Sequence, residues 1–328
     1  MSAKQRLSQD LSQWAGGDRA RETVRQLIVT IADAGIRLAR RIAADDFTGT
    51  PPQLAAEEIY ETALRNMPVS FLAIEDRPEL LEFDPDANFG VALDPLDGSS
   101  NVGSNQSIGS IFSILETRAD ELTEVDLGAR QRAAGFLLFG PQTLLVLSVG
   151  EGTMVYLLDP HKGEFRRSGD ELRIPQEVRE FALNTSNYRF WDSRMRHFVD
   201  DCIAGEEGAF GVDFNMRWNA ALVAETYRVL VRGGIFLYPA DTRPGYQNGR
   251  LSLLHEALPI AMLVEQAGGA ASDGHQRILE MKLPSLHARV PLVFGSGDRV
   301  HEVTTYLSGE ALDSGHFPLF VNRSLLRA

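Results

Sequence analysis

Apolar residues recur along this chain with two different periods, and the change of period organises it. Over 19–43, Val24, Leu27, Ile28, Ile31, Ile36, Leu38 and Ile42 fall mostly three or four apart with Arg and Asp between them. That spacing predicts an amphipathic helix with one face packed on a core. The polar run from Asp45 to Pro52 breaks it. A second helix is predicted over about 53–66, then a strand over 69–74 that leads into Glu75-Asp76. Phe89 to Leu93 is a short apolar run that stops at Asp94-Pro95, as a buried strand does on leaving its sheet. Residues 108–115, 134–139, 143–149 and 153–158 are apolar, β-rich and separated by Gly or Pro turns. They predict successive, mostly antiparallel strands. Beyond a polar, weakly patterned stretch at 166–175, helices (about 192–204, 219–231 and 257–267) alternate with strands (about 180–184, 234–238 and 291–295). Such alternation predicts an α/β layer on a largely parallel sheet.

At 328 residues the chain exceeds one ordinary core. The expectation is an α/β protein of the α+β layered-sandwich kind in two domains, 1–172 and 173–328. The first has N-terminal helices packed on a mixed, largely antiparallel sheet, and the second is a C-terminal α/β layer with a mostly parallel sheet. Lys+Arg 32 against Asp+Glu 45 gives a net charge of −13, which argues against nucleic acid or an anionic membrane as partner. An anionic substrate would need metals and a local Arg/Lys cluster to offset that charge. The first ten residues lack the apolar stretch of a signal peptide, and no run approaches 18 apolar residues, so a cytoplasmic protein is expected. Cys202 stands alone, so no intrachain disulfide can form.

The chemistry concentrates at 94–101, Asp-Pro-Leu-Asp-Gly-Ser-Ser-Asn. Asp94 and Asp97 flank a Pro-constrained turn, so their carboxylates can converge while the Leu96 carbonyl faces the same way. Hard oxygen ligands of this kind suit Mg²⁺ or Mn²⁺. Gly98, Ser99, Ser100 and Asn101 follow, small residues whose backbone N–H groups can open a helix and hold an anion. Each residue singly is also an ordinary turn former. Together, cation ligands beside an anion cradle are what metal-assisted hydrolysis of a phosphate ester needs.

The whole octet resembles the signature of the class I fructose-1,6-bisphosphatases, within the Mg²⁺-dependent, lithium-sensitive sugar phosphatases. Further similar segments follow in order: 108–114, 143–165, 233–239 and 248–256, running into 265–269. The resemblance implies metal ligands at Asp94, Leu96 (carbonyl), Asp97 and Glu256. It also implies a Ser-Glu-Glu sequence before the signature, where this chain has Ala73-Ile74-Glu75-Asp76. Without slippage Ile74 replaces the first glutamate and Glu75 is the second. Slipped by one, Glu75 and Asp76 serve the metals and the attacking water. The family's upstream loop aspartates have no clean match among Gln53, Leu54, Glu57 and Glu58, and Asp45 and Asp46 are only nearby.

For the sugar-phosphate end, the resemblance implies Asn184, Tyr188, Tyr238 and Arg250, with Arg250 in place of a lysine. It also implies that Arg217 reaches a neighbouring subunit's site, hence at least a homodimer and, from the family, a homotetramer. Asn88, Phe89 and Glu116 stand where many members hold AMP, and a glutamate there predicts weak or absent AMP inhibition. The implied activity is Mg²⁺-dependent (Mn²⁺ possible) hydrolysis of the 1-phosphate of fructose 1,6-bisphosphate, with Glu75, Asp76 and Asp97 catalytic and Gly98, Ser99 and Ser100 on the phosphate. The alternatives are a related bisphosphate such as sedoheptulose 1,7-bisphosphate, or an impaired homologue that only binds sugar phosphate.

Overall fold

A computed structural model describes residues 5–309 apart from 124 and 178. Its helices are α1 (Leu7–Ala15), α2 (Arg19–Ala44), α3 (Pro52–Leu64), α4 (Leu127–Arg130), α5 (Ser193–Ala204), α6 (Leu222–Arg232), α7 (Leu258–Gln266) and α8 (Gly297–Ser308). The first sheet runs from β1 (Phe71–Ile74) and β2 (Leu81–Glu82) through β3 (Gly90–Asp97), β4 (Ile108–Leu115), β5 (Gln131–Phe139), β6 (Thr143–Ser148) and β7 (Thr153–Asp159) to β8 (Glu164–Arg167). Its order is β2-β1-β3-β4-β5-β6-β7-β8, antiparallel except for the β1–β3 pair.

The second sheet uses β9 (Glu180–Ala182), β10 (Asn215–Arg217), β11 (Ile235–Tyr238), β13 (Ala270–Ser272) and β15 (Leu292–Gly295), while β12 (Leu251–Ser252) and β14 (Arg289–Val290) pair only with each other. The order is β10-β9-β11-β15-β13, and the sheet is mixed. β9 pairs in parallel with β10 and β11, but β15 is antiparallel to both β11 and β13. The expectation of a mostly parallel sheet is therefore corrected. Between β13 and β15 the chain carries only a single 3₁₀ turn (Ile278–Glu280) and the β14 strand, no helix. A parallel return needs a crossover of a dozen or more residues, usually a helix, so here the chain doubles back.

Alternate residues of one strand feed different cores. In β1, Leu72 belongs to the core that includes Leu27, Ile31 and Tyr60 of α2 and α3, whereas Phe71 belongs to the one that includes Val223, Leu258 and Leu263 of α6 and α7. In β9, Ala182 faces that same α6–α7 layer while Phe181 packs with Phe198 of α5 and Val300 of α8. The result is five layers, helix–sheet–helix–sheet–helix, each sheet buried on both faces. This explains why the strands read as continuous apolar runs.

Two glycines mark close approaches at the 94–101 segment and the strand paired with it. A Cβ on Gly109 would lie 2.1 Å from the Leu137 carbonyl oxygen and 2.7 Å from Val223. At Gly98 the backbone has φ 73 and a Cβ would meet that of Ala221 at 2.8 Å. Gly109→Ala is expected to destabilise the fold by about 2–3 kcal/mol through overpacking, read from urea unfolding with unchanged m. Wild-type stability in that variant would mean the two strands can separate freely at this point.

Candidate active site

In a regular strand Asp94 and Asp97, three apart, would point to opposite faces. The structure resolves this with a bulge. Asp94 opposes Ile111 and Asp97 opposes Gly109, so three steps on β3 match two on β4. β3 therefore continues to Asp97, beyond the predicted end at Asp94-Pro95. Pro95 lies inside the bulge, the one place in a central strand that tolerates its missing N–H. A buried chain of hydrogen bonds supports the bulge from below: the Tyr60 hydroxyl donates to Ser110 Oγ (2.9 Å), which donates to the Pro95 carbonyl (2.8 Å).

The second contribution comes from Leu253–Ala257, a π-helical turn entering α7. Such turns are rare and recur at functional sites. Ser252 caps it, its side chain accepting from the His255 N–H, and Glu256 Oε2 accepts from the Ser252 N–H at 2.6 Å. His255 Nδ1 lies 2.8 Å from Ser252 Oγ. Burial brings the imidazole down to about 3, so it is neutral. The third contribution is Glu75, just past β1, whose N–H donates to the Leu93 carbonyl. One oxygen each from Glu75, Asp94 and Glu256 lie within 4.8 Å of one another.

These groups border a cavity of about 470 Å³ lined by Glu75, Asp76, Asp94, Leu96, Asp97, Gly98, Ser99, Arg250, Glu256 and Arg289, with Gln53 and Tyr246. Ile74 is buried among apolar side chains, Glu75 stands in the cluster, and Asp76, at φ 67, occupies the rim. In the upstream segment Glu57 is instead paired with Arg77 at 2.9 Å, and Asp45, at the end of α2, lines a separate cavity.

The electrostatics follow from burial. Desolvation, then repulsion from Glu75 and Asp97, raises Asp94 well above the usual carboxylate range. Burial and Glu75 do the same to Glu256. Asp97 is pushed up by burial to about 6, held back by the N–H groups of Val223, Leu222 and Gly98. Its Oδ2 accepts from the Val223 N–H at 2.8 Å, so this carboxylate caps α6. Burial also raises Glu75, against the pull of Arg289. Carboxylates crowded this way are stable only protonated, paired, or shared by a cation. The donor set, all hard oxygen, fits a divalent cation such as Mg²⁺ or Mn²⁺.

Next to this cluster Gly98, left-handed, turns the chain into a 3₁₀ turn (Ser99–Ser104) with Ser99 and Ser100 exposed at its start. Asn101 fastens the turn, its Nδ2 donating to the carbonyls of Ser107 and Asn219, each at 3.1 Å. The expected sugar-phosphate residues lie at different distances from the cavity. Arg250 lines it and donates to the Tyr246 hydroxyl at 3.0 Å, and Tyr238 lies beside Arg250. Asn184 uses its side chain to cap the turn Thr185–Phe190, and Tyr188 donates to Asp200 of α5. Arg217 is on the exposed strand β10, 3.8 Å from Glu180. These last three are not among the cavity-lining residues.

Sequence reasoning missed Arg289 and Tyr246. The ring of Tyr246 lies between the guanidinium groups of Arg243 and Arg250, 4.3 Å and 5.5 Å from its centroid. It belongs to a Gly/Pro/Asn-rich loop that reads only as turn. Arg289 belongs to a two-residue strand, too short to show any period.

Carboxylates for a divalent cation beside backbone donors for an anion are the equipment of a metal-assisted phosphatase. Comparison with known proteins gives the particular family. Residues 20–170 match the fructose-1-6-bisphosphatase N-terminal domain and residues 174–308 its C-terminal domain. A fructose-1,6-bisphosphatase class 1 of Methylobacterium radiotolerans is 47% identical, over 83% of this chain and 79% of the relative. One from Rhodopseudomonas palustris is 41% identical over 98% of both. The holo form of Leishmania major fructose-1,6-bisphosphatase superposes with a TM-score of 0.86 at 26% identity, covering 93% of this chain and all (100%) of that one. The chain belongs to the class 1 fructose-1,6-bisphosphatase family.

Replacing Glu256 by Gln tests the strain in the cluster. Because its folded value is raised, the ionised carboxylate costs stability as pH rises above the ordinary glutamate range, and nothing below it. With chelator present, Glu256→Gln is expected to be more stable than wild type by about 1–2 kcal/mol at pH 7.5, the gain vanishing near pH 4. Mn²⁺ should stabilise wild type and not the variant. Equal stability at pH 7.5 would contradict the electrostatic reading.

Proposed function

We propose that this chain hydrolyses the 1-phosphate of fructose 1,6-bisphosphate, giving fructose 6-phosphate and phosphate. The observation that carries the proposal is the convergence of Glu75, Asp94 and Glu256 within 4.8 Å, beside Asp97 and Gly98, in a chain of this family. Asp94, Asp97, Glu256 and the Leu96 carbonyl, together with Glu75, would hold Mg²⁺ or Mn²⁺. When bound, the cation polarises the phosphoryl oxygens and acidifies water. Glu75 orients the attacking water and accepts its proton at a carboxylate oxygen, a role its burial-raised affinity for protons suits. Asp76 stands at the rim behind it. The N–H groups of Gly98, Ser99 and Ser100 donate to the phosphoryl oxygens where charge builds.

Arg250, with Tyr238 and Tyr246 beside it, binds the distal phosphate. Arg keeps the charge of a lysine but offers a planar fork. Asn184 and Tyr188 order the adjoining loop of the sugar-phosphate side. Arg217, exposed on β10, serves a neighbouring subunit's cavity, so the working form is at least a homodimer, and in the family's manner a homotetramer. Along the chain we assign the metal-binding part to 1–172 and the sugar-phosphate part to 173–328. Among the described residues no helix is long and apolar enough to cross a membrane. Glu116, paired with Arg132, puts a carboxylate where many members hold AMP, so inhibition by AMP is expected to be weak or absent.

The test is phosphate release from fructose 1,6-bisphosphate with Mg²⁺, with and without chelator. Asp97→Asn, which keeps an acceptor for the α6 N–H, should lower kcat on the order of a hundredfold or more. Arg250→Ala should raise KM for bisphosphates on the order of tenfold or more while leaving simple monophosphates unaffected. A change in Arg250→Ala confined to kcat would remove it from the distal site. Faster turnover of sedoheptulose 1,7-bisphosphate would reassign the substrate.

A further inference from the structure

Arg289 stands where a second positive charge would have to compete for the same carboxylates. It comes from β14, directly across from Ser252 of β12. Its Nη1 lies 2.8 Å from Glu75 Oε1 and 3.8 Å from Glu256 Oε2, and its Nη2 lies 3.8 Å from Asp76 Oδ1. Among the described residues no other ion pair reaches the cluster. Asp94 and Asp97 are met instead by the backbone N–H groups of Leu96 and Val223.

Glu75 and Glu256 are two of the three residues whose oxygens converge within 4.8 Å. A divalent cation on those oxygens would stand within a few ångströms of a guanidinium already holding one of them. Close like charges in a partly buried pocket repel, and a small hard cation requires the carboxylate oxygens for itself. The guanidinium must then leave Glu75.

It has somewhere to go. Arg289 is 35% exposed at its side chain and lines the same cavity as Gly98, Ser99 and Arg250. Its Nη1 also donates to the Arg250 carbonyl at 3.1 Å, a contact independent of the carboxylates that keeps it inside the cavity. Arg250, which donates to the Tyr246 hydroxyl, is assigned to the distal phosphate, which leaves Arg289 for the one that reacts. A planar fork released beside a phosphoryl group will pair with its oxygens.

We propose that Arg289 is an exchangeable counter-ion: paired with Glu75 in the metal-free protein, displaced when a divalent cation binds, and then bound to the phosphoryl group during hydrolysis. The inference rests on the metal-assisted phosphatase reading, and its test separates the two. Mn²⁺ binding is measured by electron paramagnetic resonance for wild type, Arg289→Ala, Arg289→Gln and Arg289→Lys. Turnover of fructose 1,6-bisphosphate is measured at saturating Mg²⁺.

Loss of the competitor should tighten Mn²⁺ binding on the order of fivefold in the Ala and Gln variants, with Lys near wild type. In the same two variants kcat should fall on the order of a hundredfold, and Lys should recover only part of it. Unchanged or weaker Mn²⁺ binding in whichever of the Ala and Gln variants folds overturns the exchange. Retained kcat overturns the phosphoryl contact. A wild type that binds no Mn²⁺ overturns the metal reading and the exchange with it. Tighter Mn²⁺ binding in the Ala and Gln variants, with no turnover of fructose 1,6-bisphosphate by the wild type, would support the exchange and reject only the substrate.

Discussion

Several buried carboxylates sharing one small cavity are the constraint on which the rest of this structure turns. Two unit charges 4 Å apart repel by about 4 kcal/mol even at an effective dielectric constant near 20. Glu75, Asp94 and Glu256 present oxygens within 4.8 Å of one another, and Asp97 borders the same space. Only protonation, Arg289 or a cation can relieve that repulsion. A site kept in this state against its own electrostatics is strained for a use, and natural proteins accept such strain where function requires it.

The surrounding architecture reads as the means of holding those groups in place. The β3 bulge turns Asp94 and Asp97 to one side, and the Tyr60–Ser110–Pro95 chain holds the bulge. The π-turn presents Glu256, and the β12–β14 pair brings Arg289 across from it. Asp97 does double duty, since its second role as cap of α6 ties the signature segment to the helical layer between the sheets. A ligand that changed the charge or position of Asp97 would thus be felt at the start of α6, which also packs on the second sheet.

Much of this was legible in the sequence. Helix α2 is long and strongly periodic, strands β4 to β7 are apolar runs set off by turn residues, and the octet at 94–101 carried both the cation ligands and the anion-facing turn. What escaped was non-local or short. The bulge depends on the pairing of β3 with β4, so the strand seemed to end at Asp94. The antiparallel return of β15 depends on there being no crossover helix, which alternation of apolar runs cannot reveal. Arg289 is 214 residues from Glu75 and sits in a two-residue strand, so no local pattern announces it. Asn184 and Tyr188 were implied only by the resemblance, and their side chains are taken up by a turn cap and by Asp200. Burial also explains the reading of Ile74: as the last residue of β1 it faces the α2–α3 core, which leaves Glu75 to face the cavity.

The central claim is that these carboxylates hold protons until a cation takes their place. Calorimetric titration of Mg²⁺ into the metal-free protein, in two buffers of different ionisation enthalpy, counts the protons released. With Asp97 pushed up to about 6 by burial and Asp94 and Glu256 held well above the ordinary carboxylate range by burial and their neighbours' charge, binding at pH 6 should release on the order of one to two protons, fewer at pH 8, with affinity rising as pH rises. Binding that releases no protons and keeps the same affinity from pH 6 to pH 8 would contradict the account.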